Sequence, residues 1–393
     1  MSDFSVAVIG GGLSGLTACH LLLEAGIDAH IFETSDRLGG RIDSIRHSGS
    51  GEVLADLGPT WVWPVYQPNV AHWLDRLDVD TFPQFETGHA VLDMDPGAPP
   101  TRQFLPGQHG IARIDGGPQA LVDQLADRIP RENTHRNHTL SQLESNDTGF
   151  ALRFSENQID VFKATHVIVA APLRLAAESV DWSNLLDPAI ISLMRKTPTW
   201  MATQAKALIV YKTPFWREEG LSGRVASRVG PLVEIHDHCG SDGSPAALFG
   251  FVGIPHQHRD DVDALKAAII EQLVRCFGQK AAEFEQFEVK DWATDHHICS
   301  NTDLETDPAH PETLPDAIRQ GFFDNRLFFA CAETATQSPG LIDGAFEADI
   351  SQTGGFVISH DGSGINCLRE AITISVLDNL GGLVTNFAET ISL

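Results

Sequence analysis

Phe4-Ser5-Val6-Ala7-Val8-Ile9-Gly10-Gly11-Gly12-Leu13-Ser14-Gly15 is the stretch whose reading decides the fold. Its first six residues form a short, mostly apolar run, the pattern of a buried parallel strand. They lead straight into G-x-G-x-x-G. An Ala/Leu-rich stretch, Leu16 to Ala25, has the composition of a helix and stops at Gly26, where a left-handed residue is favoured. A second apolar run, Ala29 to Phe32, then ends in Glu33, eighteen residues after Gly15. In this order each part has a physical task. Gly10 permits the tight turn, Gly12 lets backbone approach a diphosphate, and Gly15 allows close helix–strand packing. The helix N-terminus, opening with Leu13 and Ser14, offers unpaired N–H groups to phosphate oxygens. Glu33 is placed to accept from a ribose hydroxyl. A lone glycine-rich turn would mean little, but strand, loop, helix, strand and acid in sequence predict a dinucleotide site.

Working outward, the 393 residues suggest two or three domains. With 42% hydrophobic and 20% charged residues, the chain has the composition of a globular protein. Its 27 basic and 53 acidic residues give a net charge of −26. That balance repels phosphate backbones and anionic lipid, which argues against nucleic-acid and membrane partners. No apolar run reaches the roughly 20 residues needed to span a bilayer. Six cysteines (19, 239, 276, 299, 331, 367) lie scattered without a C-x-x-C pair, which fits a reducing cytoplasm better than a disulfide or zinc framework. His236-Asp237-His238-Cys239 and His296-His297 resemble metal ligands only in composition, since no H-x-x-x-H spacing accompanies them. No metal site is therefore expected, and one of His296 and His297 is expected to line a substrate cavity.

The residues after Glu33 narrow the cofactor. Glu33-Thr34-Ser35-Asp36-Arg37-Leu38-Gly39-Gly40-Arg41 reads E-x-x-x-R-x-G-G-R. Here the chain resembles the flavin-containing amine oxidase family, and Arg41 is then implied to touch the diphosphate of FAD. Later segments match the same family in order. Gly58-Pro59-Thr60-Trp61 is similar to its G-x-x-W segment beside the flavin and ribityl chain. Ile114 to Leu121 resembles its G-G-x-x-x-L turn, Leu140 falls at an adenine contact, and Ala164 to Pro172 resembles the strand closing the second cofactor segment. Lys206 stands eight residues before the proline of Pro214-Phe215-Trp216, and the resemblance places it near flavin N5 through a water. The competing reading is an exposed strand residue like Lys212. Trp292 matches a tryptophan near the flavin. Phe328 to Thr336 and Gly340 to Ala345 resemble the closing segment, implying cofactor contacts from Glu333, Leu341 and Ile342.

Several departures limit what the resemblance implies. Leu341, eight residues after Glu333, replaces a tyrosine of the aromatic cage that holds amines in well-known members. Asn301-Thr302 occupies the other cage position, with no aromatic from His297 to Asp303. No cysteine aligns with a covalent flavin linkage, Cys299 lying two residues short, so FAD is expected to be non-covalent. Cys331 replaces a family glycine and is expected to pack as a small hydrophobe. Residues 82–111 are proline-rich with little helical pattern, and Ile372 to Phe387 is partly apolar.

The expected fold is α/β. A doubly wound, Rossmann-type FAD-binding domain is assigned to residues 1–75, 112–175 and 290–355. A smaller mixed α+β substrate domain takes 76–111 and 176–289, leaving 356–393 as a tail of unassigned role. Asp261 to Gly278 is expected to be a helix with Leu265, Ile269, Leu273 and Phe277 on one face. The resemblance implies an FAD-dependent oxidoreductase. It would take a hydride from a small-molecule amine or amino acid to flavin N5, giving an imine, and O2 would reoxidise the flavin to give H2O2. The alternatives are a flavin oxidoreductase or desaturase for a non-amine substrate, and a non-catalytic FAD-binding protein. The sequence is silent on oligomeric state.

Overall fold

The apolar run that opens the chain forms the strand Asp3–Ile9, an inner strand of a seven-stranded sheet in the computed structural model. The structure describes residues 3–155 except 48, 50 and 52, together with 161–353, 357–358 and 365–366. The remainder of the stretch 356–393, including Ile372 to Phe387, lies outside the described residues.

In that sheet the order is Thr134–His135, Ala29–Phe32, Asp3–Ile9, Val161–Val169, Gly149–Phe154 and Leu140–Asn146. Asp3–Ile9 runs parallel to both neighbours, with Val6 opposite Ala29 on one side and His166 on the other. The short strand Leu327–Phe329 pairs in parallel with the last residues of Val161–Val169. Alternate residues of the opening strand enter two cores. Val6 and Val8 pack with Leu16, Leu22 and Phe346, while Ala7 and Ile9 pack with Phe150, Trp182 and Phe329. Burial on both faces explains why the run carries no polar alternation. The helices Leu173–Ser179, which straddles residue 175, and Pro188–Lys196, which lies beyond it, both contribute to the second of these cores.

The following helix is Leu13–Glu24, three residues longer at its start than the Ala/Leu pattern alone suggests. Gly15 is responsible. A Cβ there would lie 1.9 Å from the Gly10 carbonyl oxygen, so only glycine lets the first helical turn sit on the strand end.

A second seven-stranded sheet has the order Gln286–Asp291, Ala205–Tyr211, Ala246–Val252, Leu232–Asp237, Leu221–Ser227, His89–Asp93 and Thr101–Phe104. The proline-rich passage therefore supplies two strands at its edge, with the prolines falling between and beyond them. The expected helix is Val262–Phe277. Asp261 caps it by accepting from the Ala264 N–H, and Gly278 ends it at φ 85°. Leu265, Ile269, Leu273 and Phe277 are all buried, and they pack on Ala205, Ala207, Ile209 and Tyr211. Because side chains alternate along a strand, Lys206, Leu208 and Val210 face the other way. Leu208 and Val210 meet Ile45 and Ala55 there, which places Lys206 between the second sheet and the two-stranded hairpin Ser44–Arg46 and Val53–Asp56.

Candidate active site

One cavity of about 920 Å³ runs from the end of the opening strand to the face of the second sheet that carries Lys206. Gly10, Gly12, Leu13, Ser14 and Glu33 line one part of it, with Thr139 and Leu140 nearby. Gly58, Pro59, Thr60, Trp61, Lys206, Trp292, Leu341 and Ile342 line another.

At the phosphate-binding end, no side chain caps the helix Leu13–Glu24 and no acid occupies its first turn. Its N-terminal partial positive charge is therefore left for a ligand. Gly12 and Gly39 form a bridge, and a Cβ on Gly40 would come within 3.2 Å of Gly12 Cα. Gly39 and Gly40 have φ of 113° and 58°, conformations that need glycine. The buried carboxylate of Glu33 accepts from the Gly11 N–H at 2.6 Å and from the Ser35 N–H and hydroxyl at 2.8 Å. These contacts hold it at the cavity wall.

Arg41 lines the cavity, whereas Glu333 stands fully buried behind it. Arg41 donates from Nη1 to Glu333 Oε1 at 2.6 Å and from Nη2 to Oε2 at 3.1 Å. Glu333 is therefore off the cavity wall and reaches the site through Arg41. Gly15 likewise lies beneath the wall, in helix–strand packing. Cys331 is buried with its thiol pushed up, first by burial and then by Glu333.

At the other end, Lys206 is 2% exposed. Its Nζ donates to the Gly58 carbonyl at 2.9 Å and to Thr60 Oγ1 at 2.6 Å, and lies 4.3 Å from the centre of the Phe249 ring. Gly58 is required in that turn because a Cβ would meet the Arg41 carbonyl at 2.1 Å. Burial pulls the Lys206 ammonium down to about 7, opposed by Asp56 and aided by Arg113. Lys206 thus differs from exposed Lys212. The Trp292 indole N–H donates to the Leu57 carbonyl and braces the same turn, while the Trp61 indole donates to Gln84 Oε1 at 2.8 Å.

His296 and His297 both line the cavity. His297 lies by Thr34, with Nδ1 3.4 Å from its hydroxyl, so it borders the end holding Glu33 and Thr139. Among the described residues no group of three or more His, Cys, Asp or Glu side chains could hold a metal. Asn301 and Thr302 sit off the cavity, with their N–H groups donating to Glu178. Leu341 does line it. Sequence reasoning missed the polar layer beneath the Gly58 turn, formed by Asp56, Arg113 and His238. These residues belong to separate segments, and no local spacing signals their meeting.

Two parallel strands flanking a glycine turn, a second glycine pair stacked on it and a buried lysine beside a tryptophan-lined cavity are the features of a dinucleotide-dependent oxidoreductase. The family model described as flavin containing amine oxidoreductase matches residues 92–348, and the NAD(P)-binding Rossmann-like domain matches residues 8–77. The chain belongs to the flavin-containing amine oxidoreductase family. It is similar to the probable flavin-containing monoamine oxidase A of Dictyostelium discoideum, at 21% identity over 88% of this chain and 95% of the relative. It is also similar to the flavin-containing amine oxidase B of Sus scrofa, at 22% identity over 88% and 85%. Among solved structures, a putrescine oxidase redesigned in its cofactor binding superposes with a TM-score of 0.73 at 19% identity, over 89% of this chain and 98% of that one. Cyclohexylamine oxidase from Brevibacterium oxydans does so with a TM-score of 0.73 at 16% identity, over 90% and 98%. The fold is that of an FAD-dependent oxidoreductase, and the glycine cradle and uncapped helix end fit the cofactor's diphosphate. Among the described residues no helix is long and apolar enough to cross a membrane.

Proposed function

We propose that the protein oxidises a small-molecule amine or amino acid to an imine at the expense of O2. The carrying observation is the buried ammonium of Lys206, held by Gly58 and Thr60 on the wall of the cavity. Bound FAD supplies the two-electron chemistry: a hydride equivalent leaves the carbon bearing nitrogen, and O2 then takes up two electrons and two protons to give H2O2. Gly12, Leu13 and Ser14 present the helix N-terminus to the diphosphate, with Arg41 as its cation and Glu333 holding Arg41 in place. Glu33 fixes the ribose, and Leu140 offers an apolar wall to adenine. Trp61, Trp292, Leu341 and Ile342 shape the cavity where the flavin ring and substrate meet.

Lys206 has three N–H donors and uses two on protein oxygens, which leaves one for a water in the cavity. With its proton affinity brought near neutrality it can supply charge or a proton during reoxidation. The amine itself reacts only when neutral, so its own proton sets a second pH dependence. FAD is held without a covalent bond, a reading supported by Cys299, whose thiol is buried and raised. Residues 1–75, 112–175 and 290–355 then bind cofactor while 76–111 and 176–289 shape the substrate side. The five described cysteines are all free, which suits a reducing cytoplasm.

The test is to purify the protein, record its visible flavin spectrum, and add a panel of amines and amino acids without O2. Bleaching by an amine supports the proposal. A bound flavin that none of them reduces overturns it in favour of a non-amine substrate or a non-catalytic role.

A further inference from the structure

Asp56 closes the strand Val53–Asp56, and its carboxylate is 2% exposed. Two residues on is Gly58 and four on is Thr60, the two acceptors of the Lys206 ammonium. The strand end is clamped from three segments. The Asp56 N–H donates to His238 Nε2 at 2.9 Å, Ser44 Oγ donates to Oδ1 at 3.3 Å, and Arg113 Nη2 lies 3.7 Å from Oδ2. Arg113 is itself fixed by donating to the Cys239 carbonyl at 2.9 Å. His238 follows the strand Leu232–Asp237 of the second sheet, so the cluster ties that sheet to the Gly58 turn.

Asp56 Oδ2 accepts no hydrogen bond. His238 Nε2 lies 3.2 Å away, but it takes the Asp56 N–H and has no proton to give. A buried carboxylate oxygen without a donor is costly unless nearby cations compensate it. Burial alone would push the Asp56 carboxyl up, and its cationic neighbours Arg113 and Lys206 act to hold it below its usual value. An amide would satisfy the hydroxyl and the backbone contacts equally well. What the carboxylate adds is charge.

We propose that Asp56 is a positioning residue for Lys206, seating the ammonium through the Gly58 turn and keeping it charged through its own buried carboxylate. The inference rests on Lys206 being the proton-handling group of the proposed reaction. The Lys206 ammonium lies over the Phe249 ring, and the charges of Asp56 and Arg113 act on it from beneath the Gly58 turn. Lys290, its register partner on the adjacent strand, directs its ammonium to Asp43 and Asp295 instead. Asp56 is the anion of this set, and Arg113 the opposing cation.

The test uses the FAD-loaded protein, with reoxidation by O2 and the visible flavin absorption each followed against pH. In Asp56→Asn the limb near neutrality should move down by about one pH unit, a tenfold loss of proton affinity at Lys206. Asp56→Glu should restore it, and FAD affinity should stay within about threefold. Arg113→Gln should move the limb up instead, which a merely structural role would not do, and this variant serves if Asp56→Asn does not fold. A limb that Lys206→Met abolishes but that neither Asp56→Asn nor Arg113→Gln moves overturns the inference alone. A limb that survives Lys206→Met overturns the reading beneath it as well.

Discussion

Arg41 and Glu333, 292 residues apart in sequence, meet as a two-bond pair in which the arginine faces the cavity and the glutamate is buried behind it. The two partners are not equivalent. Removing the arginine strands a carboxylate with no access to water, a loss of about 3–5 kcal/mol. Removing the glutamate charge leaves a guanidinium that can still meet solvent or phosphate. Arg41→Met should therefore cost more stability than Glu333→Gln, and FAD should rescue only the second variant. Chemical denaturation of each, with and without FAD, checks this. Equal losses in both would contradict the assigned geometry.

Lys206→Met should retain FAD while slowing reoxidation by O2 by about a hundredfold. Stopped-flow mixing of the reduced protein with O2 measures it directly. Binding, reduction and reoxidation all left unchanged would remove Lys206 from the mechanism.

Gly12 and Gly15 should behave in opposite ways when changed to alanine. Gly12 has extended backbone, and its added Cβ would find nothing nearer than Gly40 Cα at 3.9 Å. Gly12→Ala should fold with unchanged stability and lose at least about tenfold in FAD affinity, because only the ligand needs that space. Gly15→Ala would drive a methyl into the Gly10 carbonyl and should destabilise the fold itself. Thermal melts paired with FAD titrations separate the two outcomes.

Stability should fall as pH drops below about 6.5. Burial lowers the proton affinity of His238 to about 3, and of His135 and His166 to about 4. Each binds fewer protons folded than unfolded in the window between its folded value and 6.5, so unfolding takes up protons there and acid favours it. Urea denaturation across that window, compared with His166→Gln, checks the sign. A flatter profile is expected for the variant, with a maximum slope lower by about 1.4 kcal/mol per pH unit.

Much of the cofactor end was legible in the chain. The run Phe4 to Gly15, the strand Ala29–Phe32, Glu33 and the glycine pair before Arg41 are local features, and their spacing reflects the short-range geometry of strand, turn and helix. Such relations survive in sequence because each depends on residues a few positions apart. The helix Val262–Phe277, with its cap and glycine stop, was readable for the same reason.

What only the tertiary structure decided is which distant residues share an environment. That Lys206 is buried follows from the strand Ala205–Tyr211 lying inside a sheet with one face on a helix and the other on Ile45 and Ala55. That Glu333 acts through Arg41, that His297 borders the Glu33 end and that Asp56 meets His238 and Arg113 depend on segments separated by 57 or more residues. Charge and proton affinity at this site are set by burial and by neighbours across those gaps. The sequence determined the cofactor's cradle because backbone geometry is local, while the electrostatics of the lysine were decided by packing, which is not.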